Sequence, residues 1–193
     1  MTSILRTTNE SSEPQPRATL PVRLHHFAIV VRDQEQVRHF MEDVLGFRLV
    51  ATWAERTMFH DVGEEHEYCH TFYELDGGGA LAFFQFADPI MYERCQPKVP
   101  AEVERFHHIA LRVSNDRFEE IRRSLEAAGL PNRVRDHGYC LSLYTTTSDG
   151  LQLEFTVDAP NLAEIEADQR RNAHATLDRW LKGDHSPNND IRH

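Results

Sequence analysis

The sequence is poor in cysteine, in long apolar runs and in basic residues. Its three cysteines, Cys69, Cys95 and Cys140, form no CxxC pair, so we expect neither a disulfide framework nor a cysteine-rich zinc site. A reducing, cytoplasmic environment fits this usage best. The longest apolar runs are about six residues, whereas a transmembrane helix needs roughly 20. With 21 basic against 31 acidic residues, the net charge of −10 argues against binding to nucleic acid or anionic membranes.

The composition predicts a globular chain of modest size. The 193 residues are 40% apolar and 27% charged, which allows one domain or two small halves. Residues 1–20 are rich in Ser, Thr, Pro and Glu, show no periodicity and lack the apolar core of a signal peptide. We expect them to form a flexible arm. The 12 histidines are the most informative residues.

An internal repeat organises the rest of the chain. The segment Leu24-His25-His26-Phe27-Ala28-Ile29-Val30-Val31 aligns with Phe106-His107-His108-Ile109-Ala110-Leu111-Arg112-Val113, with four of the eight positions identical. Both segments are typical of short strands, and each leads into an amphipathic helix, predicted over residues 34–45 and 116–128. Asp33 and Asn115 are the expected N-caps, and Gly46 and Gly129 the expected stops.

Each half therefore has the order β-α-β-β-β. Further strands are predicted over residues 48–53, 67–75, 80–86, 132–134, 140–146 and 151–157. The expected fold class is α+β, with two paired βαβββ modules forming a curved mixed-sheet cup and helices outside. The first module covers residues 21–87, a proline-containing linker covers 88–105, and the second module covers 106–158. A C-terminal helix, about residues 162–181, and a loose tail complete residues 159–193.

Alternation along the strands directs matching polar side chains into the cup. His26 and His108 occupy equivalent positions on the first strand of each module, on the face opposite the helix. On the closing strands, aligning residues 83–86 with 152–155 makes Gln85 the repeat equivalent of Glu154. Mid-strand polar residues among large apolar neighbours are costly unless they are paired or bind something. We therefore expect a divalent metal held by His26, His108 and Glu154, with Gln85 as a fourth ligand or as a residue that orients a bound water.

The two HHxA strands, the Val44-Leu45-Gly46-Phe47 helix end and the Asp149-Gly150-Leu151-Gln152-Leu153-Glu154 segment resemble the vicinal oxygen chelate superfamily. Glyoxalase I, methylmalonyl-CoA epimerase, fosfomycin-resistance proteins and type I extradiol dioxygenases belong to it. The resemblance covers roughly residues 23–158. It implies paired modules that bind a divalent metal, with His26, His108 and Glu154 as ligands and Gln85 at the fourth-ligand position of glyoxalase-like members. A homodimer is common in such folds.

The run from His137 through Leu143-Tyr144 to Glu154 resembles the extradiol dioxygenase signature, although Ser148 stands where that signature has proline. The resemblance implies Fe(II) that chelates a catechol-like substrate with vicinal oxygens, with Mn, Zn, Ni or Co as other candidates. Tyr144 would then contact the substrate oxygen, with His137 beside it. The additional acid-base histidine of extradiol enzymes is missing before His108, and His137 or His70 are candidates to replace it.

Two other functions stay open from the sequence. A four-ligand set that includes Gln85 resembles glyoxalase I and the epimerases, in which a carboxylate at the metal removes a proton next to a carbonyl. Glu154 would be that base. A small-molecule binding or resistance protein without catalysis is the third possibility, against which the intact ligand set argues.

Overall fold

A computed structural model describes residues 23–59, 63–96, 99–100 and 103–189. The expected flexible arm, residues 1–20, lies outside the described residues. The α+β class and the two βαβββ modules are confirmed. No helix in the described part of the chain is long and apolar enough to span a bilayer.

The first module is a four-stranded sheet with one helical segment. Strand β1 (His26–Val30) leads into helix α1 (Gln34–Arg38), which continues as a π-helical segment, His39–Val44. Strands β2 (Leu49–Phe59), β3 (Glu64–Glu74) and β4 (Ala80–Phe86) follow. The strand order is β1-β4-β3-β2, and β1 pairs with β4 in parallel.

The predicted linker contains a helix and a short 3-10 turn. Helix α2 (Pro89–Cys95) begins behind Asp88, whose carboxylate accepts from the backbone N–H of Ile90 at 2.9 Å, and a 3-10 turn covers Glu104–Phe106. Met91 and Tyr92 on α2 are buried. The prolines of this stretch suggested irregular chain, but a proline at the first helical position is compatible with a helix.

The second module repeats the first. It contains β5 (His108–Arg112), α3 (Asn115–Ala127), β6 (Asn132–Asp136), β7 (Cys140–Thr146) and β8 (Gln152–Asp158). Its strand order is β5-β8-β7-β6, again with the first and last strands parallel. Within each sheet the first strand, β1 or β5, lies at an edge.

Three of the four caps and stops that the sequence predicts for the two helices are observed. Asp33 caps α1 by accepting from the backbone N–H of Glu35 at 2.8 Å, and Gly46 and Gly129 have φ of +68° and +67°. The expected cap at Asn115 is wrong, because Ser114 takes that role. The backbone of Ser114 is extended and its hydroxyl accepts from the N–H of Arg117, which makes Asn115 the first helical residue.

The two modules share one hydrophobic core that forms on the helix side of the sheets. Helix α3 contacts the π-helical segment, and the ring of Phe47 lies 6.4 Å from that of Phe155. The guanidinium of Arg117 donates to the carbonyl of Leu45 across the same junction. The modules therefore meet through their helices, and their two sheets are not hydrogen-bonded to each other.

Helix α4 (Leu162–Leu181) agrees with the predicted C-terminal helix. None of its side chains is buried, and Leu177, Trp180 and Leu181 are exposed. The tail behind it returns to the second module, where the side-chain amide of Asn189 donates to the carbonyl of His137 at 3.0 Å.

Candidate metal centre

Strand register assigns each polar residue to one face of its sheet. In a parallel or antiparallel pair, Cα partners direct their side chains to the same side. We use the name His26 face for the side of the first sheet that carries His26, and the name His108 face for the equivalent side of the second sheet. The helices pack against the opposite sides, so these two faces are the candidate binding surfaces.

The His26 face is aromatic. The ring of His70 stacks on that of Phe84 with centroids 3.6 Å apart and lies 4.2 Å from that of Phe72. The His26 ring is exposed, 5.5 Å from Phe72 and 6.2 Å from His70. Trp53, the cross-strand neighbour of His70, is 59% exposed. A flat apolar group could lie on this surface.

His70 itself is an unusual buried residue. It is only 9% exposed, and its Nε2 has no hydrogen-bond partner among the described residues. Burial lowers the pKa of its imidazole, which favours the neutral ring. A buried polar atom without a partner costs free energy, so its persistence suggests a ligand-dependent role.

The His108 face carries a connected polar chain around Glu154. The carboxylate, 5% exposed, has Oε2 at 2.8 Å from His108 Nε2, and its Oε1 accepts from the hydroxyl of Tyr144 at 2.8 Å. His137 Nε2 lies 2.8 Å from the phenol oxygen. Because the one phenol hydrogen points to Glu154, the His137 N–H donates to that oxygen. Burial, and then the adjacent carboxylate, raise the pKa of Tyr144 to about 12.

The structure places Gln85 away from these groups. Glu154 pairs with Ala110, whose repeat equivalent is Ala28, and Ala28 pairs with Ala82. Ala82, rather than Gln85, therefore corresponds to Glu154, and the expected equivalence is wrong.

An offset of three residues along a strand turns a side chain to the opposite face. Gln85 accordingly lies on the helix side of β4, where its Oε1 accepts from the backbone N–H of Gln34 at 2.6 Å. It satisfies one of the free N–H groups at the start of α1, which is a structural role.

His26 does not join the second-module group within one chain. Across the part of the chain that the structure describes, no three His, Cys, Asp or Glu side chains are close enough together to hold a metal ion. The separation of His26 from His108 and Glu154 is therefore a feature of the described part of a single chain. Its physical reason is the helix-side packing of the modules, which leaves β1 and β5 as separate edges.

The donor set that is assembled still suits a divalent cation. An imidazole nitrogen and a carboxylate oxygen 2.8 Å apart are the ligand types that Fe(II), Mn(II), Zn(II), Ni(II) and Co(II) accept. The second carboxylate oxygen is held by Tyr144, which fixes the orientation of the group, as outer-sphere hydrogen bonds do in metal sites. One further imidazole would complete a set of two histidines and one carboxylate.

Two residues of the His108 face were not predicted from the sequence. The guanidinium of Arg133 lies 5.0 Å from the centroid of the Tyr144 ring, and Gln152 is the Cα partner of His108. Gln152 precedes Glu154 by two positions, so strand alternation was a sufficient signal for it. Arg133 needed the β6–β7 register, which the sequence does not give.

Two βαβββ modules with a histidine on the first strand of each define a duplicated α+β fold. The sequence matches the family model of the Glyoxalase/Bleomycin resistance protein/Dioxygenase superfamily over residues 23–155. The chain belongs to this superfamily, which confirms the resemblance to the vicinal oxygen chelate proteins.

Solved structures agree at the level of the fold. A glyoxylase/bleomycin resistance protein/dioxygenase domain from Frankia sp. EAN1pec has a TM-score of 0.54 at 14% identity, covering 74% of this chain and 96% of that one. The oxidase ChaP-H2 has a TM-score of 0.50 at 18% identity, covering 74% and 98%. The fosfomycin resistance protein FosX from Listeria monocytogenes, complexed with Mn(II) and sulfate, has 0.51 at 12% identity, covering 75% and 98%. No curated protein matches the sequence.

Proposed function

We propose that this protein is a metal-dependent enzyme whose centre consists of His26, His108 and Glu154. The observation that carries the proposal is the buried Glu154 carboxylate, held in contact with His108 on one oxygen and with Tyr144 on the other. A carboxylate is retained in such a position when a cation or a strong donor set compensates its desolvation. Gln85 has no part in this centre.

A second copy of the chain supplies His26 in this proposal. His26 is exposed on the edge strand β1, and His108 lies on the edge strand β5, so both imidazoles are accessible to another molecule. Exposed Trp53 on the His26 face adds an apolar surface that a partner would cover. A two-fold homodimer places the His26 face of each copy opposite the His108 face of the other and creates two equivalent centres.

The reaction that this arrangement favours is oxidative cleavage of a catechol-like aromatic with vicinal oxygens. Three protein ligands would leave open coordination positions on the metal, and Ala82, the repeat equivalent of Glu154, has no side-chain donor to add. Fe(II) held by His26, His108 and Glu154 would supply Lewis-acid and redox chemistry for an oxygen-dependent cleavage of such a ring. Phe72, Phe84 and His70 offer a flat surface for the ring.

The polar chain of the His108 face gives proton transfer a route. Tyr144 is oriented by Glu154 and backed by His137, so a proton taken up or released at the phenol can be exchanged with the imidazole. The unpartnered Nε2 of His70 is a candidate for a hydrogen bond to the substrate from the opposite face. The isomerase alternative loses its main support, because the fourth ligand on which it depended lies on the other side of β4.

Metal content and oxygen uptake test this proposal. Anaerobically purified protein is loaded with Fe(II) and given a panel of catechols in an oxygen electrode. We expect stoichiometric iron and substrate-dependent oxygen uptake, both lost in His26→Ala, His108→Ala and Glu154→Ala. His174→Ala on α4, an exposed histidine, is the matched control. Wild-type protein that takes up no divalent metal refutes the centre. Solvent deuterium exchange into an α-hydroxy ketone or thioester without oxygen uptake would instead identify an isomerase.

A further inference from the structure

A small cleft opens beside Tyr144 at one end of the second sheet. Its volume is about 220 Å³, and it is lined by Pro131, Asn132, Arg133, Tyr144, Thr145, Thr146 and Gln152. Register places Arg133 next to Tyr144, and Thr146 next to Gln152, on the His108 face. The cleft is therefore continuous with the surface that carries the proposed metal ligands.

Arg133 brings an uncompensated positive charge to this cleft. Its contact in the described structure is with the Tyr144 ring, at 5.0 Å, and it forms no ion pair with a described carboxylate. Most of the described arginines do form such pairs: Arg32, Arg38, Arg48, Arg56, Arg94, Arg112, Arg117, Arg122, Arg170, Arg171 and Arg179.

Arg135, two residues further on the same face, also has no ion pair among the described residues. In a chain with a net charge of −10, two adjacent arginines without a carboxylate partner form a local anion-attracting surface.

Gln152 gives a second, independent indication that this cleft binds a ligand. Its Oε1 is buried and has no hydrogen-bond partner among the described residues. A buried amide oxygen without a donor costs free energy, which a hydroxyl or N–H group of a bound molecule would recover. The cleft therefore offers a cation for an anionic group and an acceptor for a neighbouring donor.

We propose that this cleft is the subsite that recognises the substrate, and that the substrate is a small acid carrying a hydroxyl or N–H donor near its anionic group. Arg133 binds the carboxylate or phosphonate, and Gln152 accepts from the donor. The inference rests on the proposed function, since it names the substrate class of the same centre. At about 220 Å³ the cleft holds one head group, which leaves the rest of the substrate to extend toward Glu154.

Metal-free protein and simple anions provide the test. Benzoate, phenylphosphonate and uncharged benzamide are titrated separately and followed by ligand-observed NMR. We expect at least one anion to bind about tenfold or more tightly than benzamide, because a guanidinium binds either oxyanion through charge-assisted hydrogen bonds. The better of the two anions identifies the chemistry of the head group. Arg133→Gln should abolish the preference and Arg133→Lys should keep part of it. Arg123→Gln on α3, an exposed arginine that forms no ion pair with a described carboxylate, should leave it unchanged.

Gln152 is tested with two acids that differ by one hydroxyl. Mandelate should bind more tightly than phenylacetate to wild-type protein, and Gln152→Leu should remove that difference. Anion binding that is equal in wild type and Arg133→Gln overturns the subsite. Because these titrations need no metal, protein that binds benzoate through Arg133 but takes up no metal contradicts the proposed function alone. Protein that binds metal without Arg133-dependent anion binding contradicts the subsite alone.

Discussion

Replacing Tyr144 by phenylalanine measures how strongly the fold holds the Glu154 carboxylate. Tyr144 is 7% exposed and Glu154 is 5% exposed, so water cannot replace the hydrogen bond that joins them. A hydrogen bond to a charged group contributes about 1.5–3 kcal/mol, and its loss leaves a buried carboxylate oxygen without its donor. We expect Tyr144→Phe to lower the free energy of unfolding of the metal-free protein by about 2 kcal/mol.

Urea unfolding in the presence of a chelator is the appropriate assay. The matched control is Tyr139→Phe in the neighbouring hairpin, because that side chain is 47% exposed and should give a change within about 0.5 kcal/mol. Tyr144→Phe should also lower turnover while the metal content stays intact, since all three proposed ligands, His26, His108 and Glu154, remain. A Tyr144 variant as stable as the Tyr139 variant would refute the description of Glu154 as a buried charge held by the phenol.

Four further substitutions test other parts of the structure. Gln85→Ala should cost about 1 kcal/mol through the lost bond to Gln34 and leave metal affinity unchanged; weaker metal binding would restore Gln85 as a ligand. His70→Leu should leave stability equal or raise it by about 1 kcal/mol in urea unfolding, because it removes a buried unpartnered nitrogen, while turnover falls. Ser114→Ala should cost about 1 kcal/mol and Asn115→Ala much less, and the reverse order would contradict the cap.

The fold was predictable because the duplication repeats local signals. The HHxA strands, the apolar stripes of the helices and the glycine stops at Gly46 and Gly129 each specify an element without reference to the rest of the chain. The cap at Ser114 was missed because two neighbouring residues, Ser114 and Asn115, could both serve as the N-cap. Helix α2 was missed because the prolines of that stretch suggested a loop. Such choices depend on small differences in local free energy.

The candidate site was only partly predictable because it depends on register and on module packing. Alternation along the strands correctly put His108 and Glu154 on one face, and His137 does contact Tyr144. The predicted equivalence of Gln85 and Glu154 was wrong because the apolar closing strands of the two modules align equally well in several registers. A shift of the alignment by an odd number of residues moves a side chain to the other face of the sheet. How the two modules pack is a tertiary property, so the separation of His26 from His108 has no local signal.

Mixing two metal-binding mutants tests the central claim most directly. His26→Ala and Glu154→Ala homodimers should each bind no metal tightly, because every centre in them lacks one ligand. After subunit exchange, half of the dimers are mixed, and each mixed dimer has one centre with all its ligands. We therefore predict recovery of about a quarter of the wild-type metal content, measured by elemental analysis after desalting. No recovery in dimers that demonstrably exchanged subunits would contradict a centre shared between two chains.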